Sequence, residues 1–564
     1  MDLYYTTLNL LQIVLAAVLV RHSIYRFRYF LHMFQQHGYK TDEFREWFNK
    51  YFSSKIITPE HVLFNLVILS LLYFLSARLT PSAATIIFSV FVLFWFFPVG
   101  RFRPEKEKKK LVFTPRLKRL AATLAILILP LWYATVELSY TGTLSGLVSV
   151  RQLDNLFVAA DPYILSFGFI LADMIIPFFL FLAAFLMKPV EKKIQNGFKK
   201  QARNKLASMP SLKVIAITGS YGKTSTKFIL EAILKERYKV CVTPGSFNTP
   251  MGICKVINND LHAGHQILIL EMGARYPGNI KELCDIARPD ISIITNIGVS
   301  HLETFGSRDV LVREKSTLAR ELKPGGILVL NGDDKYVSAM ANLRKDVKIV
   351  KTGSGGSIEA TDISYDHKGT TFELVSRKPG SDEPETMNVT TSLLGKHNVQ
   401  NIILASAVAR ELSIRIQTIA LAVRSLEPVE HRLELRKEGD LYIIDDAFNS
   451  NPVGAGNALE ILKDFRTGRR IIITPGMIEL GDLQESANHK FGEQIANANL
   501  DLVILVGKSQ TEPIYEGIKS ASNGLKTDVR IVNSLFEAND LLNKYVQPGD
   551  VVLYENDLPD TFNE

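Results

Sequence analysis

Cysteine is scarce in this sequence: Cys241, Cys254 and Cys284 are the only three in 564 residues, and no C-x-x-C pair occurs. A disulfide framework and a four-cysteine zinc ribbon are therefore excluded as organising principles. There is no internal repeat, no collagen-like period and no low-complexity composition; hydrophobic residues make up 47% and charged residues 22%. A chain of 564 residues is too long for one ordinary domain, and roughly three or four cores are expected. The balance of 65 basic against 58 acidic side chains leaves a formal charge of +7. Most of that surplus precedes residue 206, beside long apolar runs. Such a placement points to a membrane rather than to nucleic acid.

Five stretches approach the ~20 apolar residues that a bilayer-spanning helix needs, namely 3–20, 61–77, 83–97, 121–138 and 162–187. The second and third read as a helical hairpin. The first lacks the basic n-region and A-x-A site of a secretory signal. Basic side chains crowd the segments 21–60, 101–119 and 188–205, whereas the opposite loops hold only Arg78 and Arg151. The positive-inside rule then predicts an outside N-terminus, five crossings, and a cytoplasmic location for everything after Lys188. Asp173, inside the last span, is either a contact for a polar group in the bundle or a neutralised acid. The run Lys106 to Lys110 serves anionic lipid or simply fixes topology.

From about Leu212 the pattern changes to short apolar strands alternating with amphipathic stretches. One set covers 214–217, 266–271, 291–296 and 327–330, and a second covers 441–445, 470–474, 502–506 and 551–554. Alternation of this kind predicts mostly parallel α/β sheets. An irregular region, 353–387, reads as an antiparallel insertion. The expected fold is an N-terminal all-α membrane domain followed by α/β. Its parts are a transmembrane domain at 1–190, a basic linker at 191–211, a central nucleotide-binding domain at 212–426 and a C-terminal Rossmann-like domain at 427–564.

The strongest local motif is V-I-A-I-T-G-S-Y-G-K-T-S, residues 214–225. A strand enters a turn where Gly219 and Gly222 let backbone N–H groups approach phosphate, and a helix then opens at Lys223 and Thr224. The helix N-terminus favours an anion. Lys223 neutralises β/γ-phosphate oxygens and the Thr224 hydroxyl ligates Mg2+ in this reading, which makes Gly219, Ser220, Gly222, Lys223, Thr224 and Ser225 an ATP-binding set. Two residues separate the glycines, where the general P-loop has four.

Further segments follow in order: E-M-G-A-R-Y-P-G-N-I at 271–280, T-N-I-G-V-S-H-L-E at 295–303, N-G-D-D at 331–334, G-K-H-N-V at 395–399, D-D-A-F-N-S-N-P at 445–452 and P-G-M-I-E-L-G at 475–481. With the shortened loop, they resemble the Mur ligase superfamily over 213–507, and look closest to the branch that adds D-alanyl-D-alanine to the muramoyl tripeptide. The resemblance implies a central P-loop domain and a C-terminal Rossmann-like domain. It also implies ATP, two Mg2+ ions, and a carbamylated lysine at Lys315. Thr224, Glu271, His301 and the Lys315 carbamate would hold metal. Lys223, Lys315, His301 and Arg432 would be catalytic. Asn331, His397, Asn398, Arg432 and Asp446 would contact ATP, and Asn248, Thr249 and Asn449 the substrate. A bare Lys315 ammonium about 4 Å from a dication would be repelled by roughly 8 kcal/mol at an effective dielectric near 20, and a carbamate reverses that sign.

The implied reaction activates a carboxylate as an acyl phosphate with release of ADP, after which an amine forms the amide. It belongs to peptidoglycan precursor synthesis. The implied partners are a small-molecule or lipid-linked cell-wall precursor, an amino acid or dipeptide, and cell-wall synthesis proteins; nucleic acid is not among them. Two departures stand out. Five apolar stretches replace the family's soluble UDP-binding domain, and the K-G-S-R motif expected after the strand at 551–554 is missing from 549–556. Three other readings stay open: a membrane-anchored ligase of another polymer such as poly-γ-glutamate, a nucleotide-binding scaffold without ligase activity, and a transporter, although no ABC signature is present.

Overall fold

The computed structural model describes residues 2–56, 86, 90, 110–141, 162–245, 247–298, 302–366, 369–377, 383–428, 431, 433–447, 451–465, 468–478, 480–521 and 527–556. They divide into two units, Met1–Ile194 and Gln195–Glu564.

The first unit is helical, with α1 (Asp2–Gln36), α2 (Thr41–Lys50), a π-helical turn at Phe52–Ile56, α3 (Pro115–Thr141) and α4 (Pro162–Ala207), whose last residues belong to the second unit. Helix α2 is amphipathic. Phe44, Trp47 and Phe48, three and four residues apart, are buried, while Asp42 and Glu43 sit in its first turn and Lys50 in its last, matching the helix dipole. Phe44 lies 5.1 Å from the Phe34 ring and 5.2 Å from that of Phe181, so α2 joins α1 to α4. Arg119 grips Glu191 through two bonds, of 2.7 and 2.9 Å, and pairs α3 with α4.

Among the described residues two helices are long and apolar enough to cross a membrane, Pro115–Thr135 and Met174–Ala207. They correspond to the fourth and fifth of the five spans read from the sequence. The stretch 3–20 lies within α1, and 61–77 and 83–97 fall outside the described residues apart from two helical positions. Of the five expected crossings, the fourth and fifth thus have a candidate helix among the described residues.

The second unit contains two sheets. The first is nine-stranded, in the order β2-β3-β1-β4-β5-β6-β7-β8-β9. In chain order its elements are β1 (Lys213–Thr218), α5 (Lys223–Lys235), β2 (Val240–Val242), α6 (Pro250–Asn259), β3 (Ile267–Glu271), α7 (Asn279–Ile286), β4 (Ile291–Ile294), α8 (Leu302–Phe305), α9 (Arg308–Arg320), β5 (Ile327–Asn331), α10 (Lys335–Ser338), β6 (Lys348–Thr352), β7 (Ile358–Asp366), β8 (Gly369–Ser376), β9 (Glu385–Thr391), α11 (Lys396–Glu411) and α12 (Ile416–Arg424). Strands β1 to β6 are parallel. Their continuous apolar runs reflect burial on both faces: Ile215, Ile217, Ile267 and Ile269 enter one core, and Val214, Ala216, Leu268 and Leu270 the other. The expected antiparallel insertion is present as β7-β8-β9, but it continues the main sheet, because Thr352 of β6 pairs with Ile358 of β7.

The second sheet is six-stranded, in the order β10-β11-β15-β12-β13-β14. Its elements are β10 (Glu434–Glu438), β11 (Leu441–Asp446), α13 (Pro452–Asp464), β12 (Arg470–Thr474), α14 (Gln484–Asn497), β13 (Leu502–Val506), α15 (Lys508–Ala521), β14 (Asp528–Val532), α16 (Leu535–Tyr545) and β15 (Val551–Glu555). Strands β10 and β14 were not foreseen; both are edge strands, and their charged sequences E-L-R-K-E and D-V-R-I-V hide the apolar alternation. The two sheets are joined at a divided pair of residues: Leu393 packs in the core of the first sheet and Leu394 in that of the second.

Candidate active site

Strand β1 is central to its sheet, and the chain leaves it first toward β2 and β3 and later toward β4. The carboxyl ends of β1, β3 and β4 therefore meet at a topological switch point, where open α/β sheets bind ligands. Gly219 and Gly222 follow β1. Gly222 has φ 75°, a left-handed conformation, and a Cβ there would collide with the Asn401 amide; a Cβ on Gly219 would collide with the Thr295 hydroxyl. Gly222 caps α5 without a side-chain bond, which leaves the first N–H groups of the helix for an anion.

The loop is fastened to the exit of β4. Ser220 N–H donates to the Asn296 carbonyl at 2.9 Å, Tyr221 N–H to Asn296 Oδ1 at 2.8 Å, and Gly298 N–H to Ser220 Oγ at 2.9 Å. Lys223 Nζ curls over the turn and donates to the carbonyls of Gly219 and Ser220, at 2.8 and 3.1 Å. This brings the ammonium over the cradle where phosphate would lie. Ser225 follows, half-buried, on the same helix.

Glu271 ends β3 and is 1% exposed. Its carboxylate collects three donors: Thr224 Oγ1 at 2.9 Å and Lys227 Nζ at 3.5 Å on one oxygen, Asn248 Nδ2 at 3.2 Å on the other. Lys227 also donates to the Gly245 carbonyl. A buried hydroxyl and carboxylate in contact are hard oxygen donors. They suit Mg2+, which takes one or two carboxylates together with phosphate and water. Among the described residues no three His, Cys, Asp or Glu side chains converge as a metal cage. Thr249 accepts from Gly252 N–H at 3.3 Å and caps α6, so its hydroxyl serves the fold at this point.

Lys315 lies on α9, 2% exposed. Burial pushes its ammonium down to about 7, the charge of Lys223 pushes the same way, and Glu314 and Glu271 oppose it. The amine is therefore substantially neutral near physiological pH. Its neighbour Glu314 accepts from the N–H groups of Gly278 and Ile280, both at 2.7 Å, and thus holds the start of α7 against α9.

Asn331, His397 and Asn398 gather around the start of α11. Asn331 Oδ1 accepts from Asp333 N–H at 3.1 Å and from Gln400, and Asn398 Nδ2 donates to the Leu394 carbonyl at 2.9 Å. His397 is half-buried, and its Nδ1 is sealed from solvent with no hydrogen-bond partner among the described residues. Burial lowers its imidazole to about 4. In the second sheet, Asp446 Oδ1 accepts from Leu433 N–H at 3.1 Å, and Asp445 accepts from His431 Nδ1 at 2.8 Å and from Arg436. His301, Arg432 and Asn449 lie outside the described residues.

The structure thus unites Lys223, Thr224, Asn248, Glu271 and Lys315, and it gathers Asn331, His397 and Asn398 at the start of α11, whose Asn401 accepts from the Thr226 hydroxyl of α5 at 3.1 Å. Lys227 and Glu314 are absent from the set read from the sequence. Lys227 follows Lys223 by one helical turn, a spacing that puts both on one face of α5. For Glu314 the sequence offers only adjacency to Lys315.

A family model described as the Mur ligase middle domain matches residues 217–409, and one described as the Mur ligase, glutamate ligase domain matches residues 431–554. The second match runs past the expected limit at 507 despite the missing K-G-S-R. The UDP-N-acetylmuramoyl-tripeptide–D-alanyl-D-alanine ligase of Mycobacterium tuberculosis (strain CDC 1551 / Oshkosh) is 32% identical over 364 residues, 61% of this chain and 70% of that protein. The enzyme of the same name from Bacillus subtilis (strain 168) is 32% identical over 298 residues, 52% of this chain and 63% of that protein. Among solved structures, MurF from Acinetobacter baumannii matches with a TM-score of 0.58 at 27% identity, covering 65% of this chain and 78% of that one. The MurF ligase from Thermotoga maritima in complex with ADP matches with a TM-score of 0.57 at 29% identity, covering 64% and 80%.

Proposed function

The chain belongs to the Mur ligase family, and from that premise we infer that it is an ATP-dependent, ADP-forming ligase of peptidoglycan precursor synthesis. It adds a D-alanyl-D-alanine dipeptide to the carboxylate of a UDP-linked muramoyl tripeptide. The observation that supports this reading is the contact of Thr224 with Glu271 beside the Lys223 cradle, where ligands for metal and for phosphate would share one switch point.

The tripeptide carboxylate attacks the γ-phosphorus of ATP, the bond to the β-phosphate oxygen breaks, and ADP leaves. The amine of the dipeptide then attacks the acyl carbon, phosphate departs, and the amine loses a proton as the amide forms. Catalysis of such steps is positional and electrostatic. Lys223 and the α5 N-terminus neutralise the transferred phosphoryl group. Arg432 and Asp446 would reach ATP from the second sheet, Asn331, His397 and Asn398 would line the base, and Asn248, Thr249 and Asn449 the substrate. Thr224, Glu271 and His301 would hold Mg2+, which when bound would screen phosphate charge. Lys315, buried and largely neutral, is suited to capture CO2: its nitrogen bonds to carbon, a proton is released, and the resulting carbamate anion would be able to hold a second ion.

The helices before Lys188 anchor the ligase domains on the cytoplasmic side through a multi-pass segment with its N-terminus outside. The apolar surface of that unit supports this reading: Ile126, Leu129 and Phe185 are 67%, 55% and 70% exposed, a poor surface for water and a suitable one for lipid. The same surface favours a second reading of the acceptor, as a lipid-linked tripeptide. ADP release by the full-length protein, with UDP-linked or lipid-linked tripeptide and with or without D-alanyl-D-alanine, tests both. Dipeptide-dependent release with a product heavier by one dipeptide is expected. Release that ignores the dipeptide, or a ladder of products, would overturn the assignment.

A further inference from the structure

Lys227 is 0% exposed, yet no step of the ligation uses it. Its ammonium lies 3.5 Å from Glu271 Oε2, the same oxygen that accepts the Thr224 hydroxyl. The ammonium also donates to the Gly245 carbonyl and stands 4.4 Å from the Phe228 ring centroid. Gly245 opens the loop that carries Asn248, and Asn248 returns to the other oxygen of Glu271 at 3.2 Å. One buried cation thus touches the helix after the phosphate loop, the candidate metal carboxylate and the start of the loop on the substrate side.

A carboxylate buried this deeply needs a positive partner. Lys227 supplies one. A dication on Glu271 would face the ammonium across a few ångströms of low-dielectric interior, where like charges repel strongly. We propose that Lys227 is a positioning residue that competes with a metal ion for Glu271 and couples metal loading to the seating of the segment that carries Asn248 and Thr249. Metal weakens the bond of Lys227 to Glu271 and leaves the ammonium on the Gly245 carbonyl. The loop bearing Asn248 and Thr249 is thereby held in register with a loaded site. The inference rests on the reading of Thr224 and Glu271 as metal ligands.

The test uses full-length protein in detergent, with Mn2+ binding in the presence of ADP followed by electron paramagnetic resonance. Lys227→Met should bind Mn2+ about tenfold more tightly, because the competing charge is gone. Its KM for the carboxylate substrate should rise, because the loop loses its anchor. Lys227→Gln keeps a donor for Gly245 without the charge; it should show the tighter Mn2+ binding with a substrate KM near that of the parent, and it replaces the Met variant should that fail to fold. Lys227→Arg should restore the parent affinity within about twofold. General damage to the site weakens metal binding, so tightening is the distinguishing result. Unchanged or weaker Mn2+ binding in a folded Lys227→Gln protein overturns the proposal. Unchanged binding in Thr224→Val overturns instead the metal assignment on which it rests.

Discussion

The Thr224 hydroxyl donates to the Glu271 carboxylate across 2.9 Å, and so links the first turn of α5 to the end of β3. Removing the hydroxyl with Thr224→Val leaves Glu271 its bonds to Asn248 and Lys227, and the stability cost should stay near 1 kcal/mol. Activity should fall far more, by about 100-fold in kcat. Steady-state kinetics beside a thermal melt separates the two effects; equal and small changes in both would argue against a role at the reacting phosphate.

Lys315 gives a pH and CO2 dependence with a definite sign. Its folded value, about 7, is well below the ordinary lysine value, so the neutral amine grows as pH rises through 7. Carbamylation needs that neutral amine. Activity in CO2-depleted buffer should therefore be low and recover on adding bicarbonate, with recovery faster at pH 8 than at pH 6. Lys315→Ala should lose the bicarbonate response, and a 13C-labelled carbamate signal should vanish with it. The unfolded chain binds more protons between pH 7 and 10.5, so this buried amine also adds stability as pH rises across that window.

His397 acts in the acid range. Burial lowers it from 6.5 to about 4, so between these values the unfolded chain takes up a proton that the folded chain refuses. Stability should drop as pH falls from 6.5 to 4, by at most about 3 kcal/mol. Replacing the imidazole by Asn should flatten the pH dependence of the melting temperature over that interval. A parallel loss in both proteins would assign the acid sensitivity elsewhere.

Gly222→Ala tests the shape of the phosphate cradle. The methyl group would strike Asn401 in a left-handed backbone conformation, so the turn must open. ATP binding should weaken by about tenfold or more, which corresponds to 1–2 kcal/mol of strain. Calorimetric titration of ADP would measure it. Asn401→Ala in the same protein should recover part of the loss, because it removes the obstacle but not the φ of 75°.

Much of the second unit was legible in the sequence because β1, β3, β4 and β5 are buried on both faces and must be apolar throughout. The nearness of Lys223 and Thr224 to Glu271 was legible for a related reason: all three lie at or just after the ends of strands, and strand ends are easy to find. Edge strands such as β10 were not, since one side meets solvent and charge dilutes the pattern. Lys227 escaped because its role depends on the Gly245 carbonyl and on Glu271, 44 positions further along the chain, and only folding brings them together. The membrane half was the least legible in detail. Hydropathy marks lipid-facing segments, but the α2 aromatics Phe44, Trp47 and Phe48 bury themselves against other helices rather than crossing anything.

The split between Leu393 and Leu394 has a practical side. The natural place to cut, judged from the chain, is the stretch after α12, near residue 427. A fragment begun there would leave behind Leu394, which belongs among Leu433, Ile461 and Leu462, and would start life with a hole where that side chain should be. The C-terminal sheet borrows part of its interior from a residue more than thirty positions upstream of its first strand, so each half inherits something the other must bring.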